Sequence, residues 1–177
     1  FRDASAGIIN GSTTWIIVCD TIFVYTEKTP LTLPKGYFGV DRQVIISGGN
    51  RIYDKTNTGL PYILGMQAVD QTEANNMANN PISYKITDLG FVGTKKGDST
   101  GVCINLSGSQ FADIENCFFN NAKQGVNIKW CMFSRVIGNR CTDIYNVPFY
   151  INRGDWPGSI NNNSSSNHTI VQGNRVL

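Results

Sequence analysis

Short strand-like segments recur at a nearly constant interval in this 177-residue chain, and this internal repeat constrains the fold more than any other feature. In a first family of segments, Ile104, Ile128 and Ile151 are spaced 24 and 23 residues apart. In a second family the equivalent aliphatic residues are spaced 22 and 35 residues apart, the longer interval containing an insertion. These residues are Ile114, Val136 and Val171, with earlier relatives at Leu89 and in residues 45–52.

Each repeat contains two or three alternating segments of strand length, broken by Asn and Gly, which accept the left-handed backbone angles that sharp bends require. A repeat this short cannot bury its own apolar face, so it must stack on its neighbours. The pattern predicts an all-β chain that folds as a parallel β-helix. The residues expected to share one face are Val102, Ile104 and Leu106, followed one repeat later by Val126, Ile128 and Trp130.

The composition agrees with an all-β fold. The chain has 20 Asn and 18 Gly but only 16% charged residues, whereas disordered chains carry more charge and helical bundles more Ala, Glu, Lys and Leu. Residues 69–80 are the exception, and they predict a short helix or an excursion from the stack.

The chain divides into two regions. Residues 1–40 are interpreted as an N-terminal lead-in with strands at 15–19 and 21–25 and an extended segment at 29–38. Residues 41–177 are interpreted as the β-helix, which we expect to continue beyond the C-terminal end of the chain because that end is typical of a strand interior.

The charge pattern argues against two classes of partner. The net charge is only +2 without a run of Lys and Arg, so nucleic acid is not predicted as a ligand. No apolar stretch approaches the roughly 18 residues of a membrane helix, so membrane insertion is not predicted. The five cysteines lack metal-site spacing and are interpreted as buried free thiols, and no metal or cofactor is predicted.

The segments IENCFF, VIGNRC and VQGNRV resemble the rungs of right-handed parallel β-helix proteins, the pectate-lyase-like superfamily that includes phage tailspikes. The resemblance covers about residues 40–177. It implies right-handed coiling and a polysaccharide-related role. By analogy with spikes, it also implies a homotrimer that assembles with other virion tail proteins.

The first candidate site lies beside the aliphatic residues of the second family. Asp88, Asp113, Arg135 and Ile170 precede these residues and are predicted to form one outward column, so that Asp113 and Arg135 are neighbours. With Glu115, this group has the chemistry for acid/base cleavage of a glycosidic bond or for binding a cation. The alternative is an ordinary surface ion pair.

The second candidate site is a polar face on the other family of strands. Cys103, Asn127 and Tyr150 are predicted to form one column, and Asn105, Lys129 and Asn152 the next. Amide, ammonium and phenol groups suit sugar hydroxyls. The residues proposed to bind glycan are Asn127, Lys129, Tyr150 and Asn152, together with Trp156 in the insertion.

The insertion at residues 153–167 interrupts the repeat, and long loops in compact folds are frequently functional. Asp155 is a third candidate catalytic carboxylate, beside the aromatic Trp156. The alternative is a polar loop without a role. His168 is the only histidine, so neither a Ser-His-Asp triad nor a multi-histidine metal site is predicted.

Three functions are consistent with these features. The first is a β-helical component of a phage tail appendage that binds surface glycan, located in the virion and acting outside the cell. The second is a polysaccharide hydrolase or lyase that uses Asp113, Glu115 or Asp155. The third is a secreted or cell-surface bacterial adhesin.

Overall fold

The computed structural model describes residues 14–19, 21–26, 29–33, 42–56, 59–79, 82–94, 100–108, 111–131, 133–152 and 168–177. These residues form strands and one short helix, α1 (Gln71–Asn79), which confirms the all-β prediction. The strands are β1 (Thr14–Val18), β2 (Phe23–Tyr25), β3 (Leu31–Thr32), β4 (Arg42–Ser47), β5 (Arg51–Asp54), β6 (Tyr62–Gln67), β7 (Ile82–Thr87), β8 (Gly90–Val92), β9 (Thr100–Ser107), β10 (Phe111–Glu115), β11 (Phe118–Lys129), β12 (Arg135–Ile137), β13 (Arg140–Asn152), β14 (Ile170–Gln172) and β15 (Arg175–Val176).

The strands form two sheets in which every described pair is parallel. Sheet A has the order β1-β4-β7-β10-β12-β14. Sheet B has the order β2-β5-β8-β11-β9-β6-β3, with β13 paired to β11 and β15. Each strand thus pairs with the equivalent strand of the next repeat, an arrangement compatible with a parallel β-helix. The strands β1, β2 and β3 of the predicted lead-in pair with β4, β5 and β6.

The core consists of aliphatic and aromatic side chains stacked strand over strand. In sheet A, the fully buried Ile46, Ile86, Ile114 and Val136 are aligned on successive strands. In sheet B, a second buried column contains Phe91 and Phe119, whose ring centroids are 5.7 Å apart. Each fully buried side chain of this size contributes about 1.5 to 3 kcal/mol. The stack therefore supplies the burial that a single repeat cannot.

Two predicted alignments are wrong by a few residues. The residue aligned with Ile114 is Ile86 rather than Leu89. The residue aligned with Ile104 is Val126 rather than Ile128, which aligns with Leu106. Because side chains alternate with a period of two, the shift of two residues at Ile104 keeps the same face buried, and the sequence pattern cannot distinguish the two alignments. The shift of three residues at Ile114 has another cause: Leu89 lies beyond the bend at Asp88 and outside β7.

Sharp bends between the sheets occur at one equivalent position in each repeat. The bend residues follow the aligned ends of β7, β10, β12 and β14 and all have positive φ, which Gly, Asn and Asp adopt most readily. This confirms the predicted role of Asn and Gly. The residues are Asp88 (φ 59°), Asn116 (φ 54°), Gly138 (φ 68°) and Gly173 (φ 66°).

An asparagine follows the bend in the last two repeats and points into the core. Asn139 is fully buried, and its Oδ1 accepts a hydrogen bond from Cys117 N at 2.8 Å. Its Nδ2 donates to Ile114 O and to Asn174 Oδ1, both at 3.0 Å. Asn174 Nδ2 in turn donates to Val136 O at 2.8 Å. The Asn of the repeated Gly-Asn-Arg motif therefore links neighbouring repeats through the backbone.

The helix α1 lies between β6 and β7, where the sequence predicted a short helix or an excursion. Asp70 Oδ1 accepts a hydrogen bond from Glu73 N at 2.8 Å, and Glu73 Oε2 accepts one from Val69 N at 2.6 Å. Asp70 thus caps the first turn of the helix and Glu73 bonds the backbone of the residue before the cap, which compensates for the low helix propensity of the asparagines.

The cysteines are free thiols, and all except Cys19 are buried, as the sequence predicted. Burial raises the pKa of Cys117 and of Cys141 to about 12. It also raises the pKa of Cys103.

We expect these buried thiols to react with Ellman's reagent at pH 8 about 1,000-fold more slowly than in the urea-unfolded chain, because only the thiolate attacks. The change in absorbance at fixed reagent concentration measures the rate. A native rate equal to the unfolded rate for all five thiols would contradict the packing described above.

Candidate functional site

The predicted charged column lies on the outward face of sheet A. Asp113 of β10 is aligned with Arg135 of β12, as the sequence predicted, and Arg135 with Ile170. On the other side Asp113 is aligned with Lys85, so the prediction that Asp88 occupies this column is wrong. Asp88 instead occupies the bend after β7, because the alignment follows Ile86 and not Leu89.

Arg135 bridges the two candidate carboxylates. Its Nη1 lies 3.9 Å from Asp113 Oδ2 and 3.2 Å from Glu115 Oε1. The two carboxylate oxygens are therefore at most about 7 Å apart, which does not exceed the largest separation, about 9.5 Å, that glycosidases use. The same bridge is the surface ion pair that the sequence offered as the alternative.

The electrostatic environment of Asp113 combines opposing effects. Partial burial, and to a smaller extent the neighbouring Glu115, raises the pKa of Asp113, whereas Arg135 and Lys85 act to lower it. The net direction is upward, which is the direction required of a general acid at neutral pH.

An exposed aromatic stack adjoins the charged group. Phe111, two residues before Asp113 on the same face of β10, stacks on Phe133 with a centroid distance of 5.7 Å. Phe133 stacks in turn on His168 at 4.9 Å, and all three side chains are exposed. This stack was not predicted from the sequence. The available signal was the interval of 22 residues between Phe111 and Phe133, which equals the repeat.

The second predicted group lies on sheet B, where Asn127 is aligned with Tyr150 and Lys129 with Asn152. Asn127 Nδ2 donates to Asn105 Oδ1 at 2.7 Å, and Asn152 Nδ2 donates to Tyr150 Oη at 3.1 Å. The four residues that the sequence assigned to this strand face therefore form one patch.

The predicted columns within this patch need correction. Asn127 is aligned with Asn105 rather than with Cys103, which is fully buried. The shift of two residues keeps Asn127 and Tyr150 on one face, whereas Cys103 belongs to the core and not to this face. The structure places this patch and the group around Asp113 on different sheets. Asp155 and Trp156 lie outside the residues that the structure describes.

The described residues contain neither a metal-binding cluster nor a helix long enough to span a membrane. No group of three or more His, Cys, Asp and Glu side chains within the described ranges is arranged to hold a metal ion. The helix in this part of the chain is too short and too polar to cross a membrane.

Comparisons with known proteins return no match for this chain, whether with protein-family models, with curated proteins or with solved structures.

Proposed function

We propose that the stacked repeats form a right-handed parallel β-helix and that the chain is a component of a phage tail appendage that binds host surface glycan. The parallel pairing of each strand with its equivalent one repeat later supports the fold. The resemblance of IENCFF, VIGNRC and VQGNRV to tailspike-like rungs supports the role in a virion. A homotrimer and contacts with other tail proteins belong to the same proposal.

The observation that carries glycan binding is the exposed stack of Phe111, Phe133 and His168 beside Asp113 and Arg135. The stacked rings cover part of one another's faces, so their exposed edges offer apolar contact to sugar C–H groups, while the charged groups bond the hydroxyls. A row of such rings on successive repeats provides successive contacts for a polymer. Exposed rings with such neighbours are typical of a ligand surface rather than of an ordinary strand face.

A second candidate function is cleavage of the same polysaccharide. It is favoured by the upward pKa of Asp113 and by the proximity of Glu115. The bridging Arg135 argues for the binding role, because it holds both carboxylates in ion pairs.

Binding is tested with a panel of bacterial surface polysaccharides and the Phe111→Ala/Phe133→Ala double variant. We expect the variant to bind about 5- to 150-fold more weakly, since it loses two aromatic contacts and each is worth roughly 0.5 to 1.5 kcal/mol. Val69→Ala, which truncates an exposed apolar side chain elsewhere, is the matched control and leaves affinity unchanged. Equal binding by the double variant would exclude the stack as the site, and no binding by the unaltered protein would exclude the proposed function.

Cleavage is tested on the same panel by following chain length, with Asp113→Asn, Glu115→Gln and Asp155→Asn alongside the unaltered protein. For a binding protein we expect no shortening of any polymer. Shortening that one substitution abolishes would establish an enzyme and identify its carboxylate. Shortening that survives all three would establish an enzyme with other catalytic groups.

A further inference from the structure

Sheet B carries a column of arginines that arises from the Gly-Asn-Arg motif. The motif occurs three times, and in each copy the arginine begins a strand of sheet B. Arg51, Arg140 and Arg175 all have exposed side chains and occupy one outward column. We call this set the arginine column. It is a local basic surface in a chain whose net charge is only +2.

Gly90 and Phe118 are aligned with the arginines of the column, and both help to position the Arg51 side chain. Gly90 lies between Arg51 and Phe118 in the alignment, and a Cβ added at Gly90 would lie 2.6 Å from Arg51 Cγ. The missing side chain therefore lets Arg51 extend along the column. Its guanidinium carbon lies 5.3 Å from the centroid of the Phe118 ring, a cation–π contact. Phe118 is aligned on its other side with Arg140.

The positive charges of the column are not balanced by carboxylates. Within the part of the chain that the structure describes, none of its three arginines forms an ion pair. Arg140 and Arg175 are aligned on adjacent strands, which lie about 4.8 Å apart. Like charges directly opposite each other are unfavourable, so a bound anion would stabilise this arrangement.

The column borders a cleft with room for a ligand. The cavity has a volume of about 500 Å³ and is open to solvent. Its wall includes the two guanidinium groups on either side of Phe118, polar side chains and the C-terminal residue. Two of the three arginines line the cavity, and Arg175 does not. The lining residues are Arg51, Asn116, Cys117, Phe118, Gly138, Arg140, Thr142 and Leu177.

We propose that the arginine column binds the carboxylates of an acidic glycan. This proposal rests on the proposed function, because it names the class of glycan that the protein binds. Guanidinium groups bind carboxylates through paired hydrogen bonds, and their spacing along successive strands suits charges repeated along a polymer. Three arginines and one aromatic ring form too small a basic surface for nucleic acid in a chain of this net charge.

The test measures affinity for acidic bacterial capsular polysaccharides, each in its native form and with the carboxylates reduced to alcohols. We expect the native forms to bind more tightly. Arg140→Gln and Arg51→Gln should each weaken this binding about 10-fold, because each substitution removes a charge-assisted hydrogen bond to the polymer. Neither substitution should alter binding of the reduced forms. Lys123→Gln removes an exposed positive charge from β11 outside the column and is the matched control.

Gly90→Ala tests the positioning of Arg51 without changing the charge. We expect it to weaken binding of the native polymer to a similar extent as Arg51→Gln, provided that its circular dichroism spectrum matches that of the unaltered protein. Equal weakening by Lys123→Gln, or equal competition by duplex DNA, would indicate non-specific attraction and overturn the proposal.

The outcomes also separate this proposal from the proposed function. If native and reduced polymers bind equally and the arginine variants have no effect, the protein binds glycan but the arginine column does not recognise acid groups. If the unaltered protein binds neither form of any polymer, both proposals fail.

Discussion

Asp54→Ala is expected to lower the free energy of unfolding by about 3 to 5 kcal/mol, because it removes a buried carboxylate that accepts four hydrogen bonds. The Asp54 side chain is 1% exposed. Its Oδ1 accepts from Thr56 N at 2.9 Å and from Thr56 Oγ1 at 2.5 Å. Its Oδ2 accepts from Leu60 N at 2.8 Å and from Thr100 Oγ1 at 2.6 Å. The carboxylate thus connects the segment after β5 to the first residue of β9.

Urea unfolding followed by circular dichroism measures this loss. Lys55→Ala, at an adjacent exposed residue, is the control and should change the free energy by less than about 0.5 kcal/mol. Asp54→Asn retains one acceptor oxygen and should be intermediate. A free energy for Asp54→Ala within the range of the Lys55 control would contradict the role assigned to this carboxylate.

Asn139→Ala is expected to destabilise the protein by about 3 kcal/mol, because two buried backbone groups lose their side-chain partner. These are Cys117 N and Ile114 O of the preceding repeat, whereas Asn174 Oδ1 of the following repeat keeps the hydrogen bond from the backbone N of residue 139. The effect should therefore exceed that of truncating an exposed amide in a strand.

The control for this variant is Asn146→Ala, at an exposed position of β13. Asn139→Asp provides a second check, because it keeps the shape but replaces the donating Nδ2 by an oxygen. It should be at least as destabilising as Asn139→Ala at pH 7 and recover part of the loss at pH 4, where a protonated carboxyl can donate. Unfolding midpoints in urea that do not distinguish Asn139→Ala from Asn146→Ala would show that the buried amide is dispensable.

The spacing of equivalent aliphatic residues along the sequence predicted the parts of the fold that depend on the repeat. The interval of 22 residues between Ile114 and Val136 predicted their alignment, and with it the pairing of Asp113 with Arg135, both of which the structure confirms. Positive φ angles at Asn116 and Gly138 follow from the same pattern. These features are predictable because stacking requires equivalent residues in every repeat to have the same environment.

The candidate site was predictable only in part. The sequence placed Asn127 and Tyr150 on one outward face of sheet B, where the structure finds them, but it did not anticipate the stack of Phe111, Phe133 and His168. His168 was considered only as an isolated residue, because the insertion of residues 153–167 hides its place in the repeat. Contacts of this kind depend on how many residues each bend and insertion contains.

Alternation and repeat length were sufficient to predict an all-β chain of parallel strands and most of the residues that face inward, because both follow from burying apolar side chains at regular intervals. Cys103 is an exception, since it was predicted to face outward and is fully buried. The alignment of Ile86 with Ile114, the bridge from Arg135 to two carboxylates and the arginine column were decided by the tertiary structure. A shift of two residues, such as that between Val126 and Ile128 opposite Ile104, leaves the buried face unchanged, so the pattern does not reveal it. It nevertheless changes every neighbour on the outer surface, where the chemistry lies.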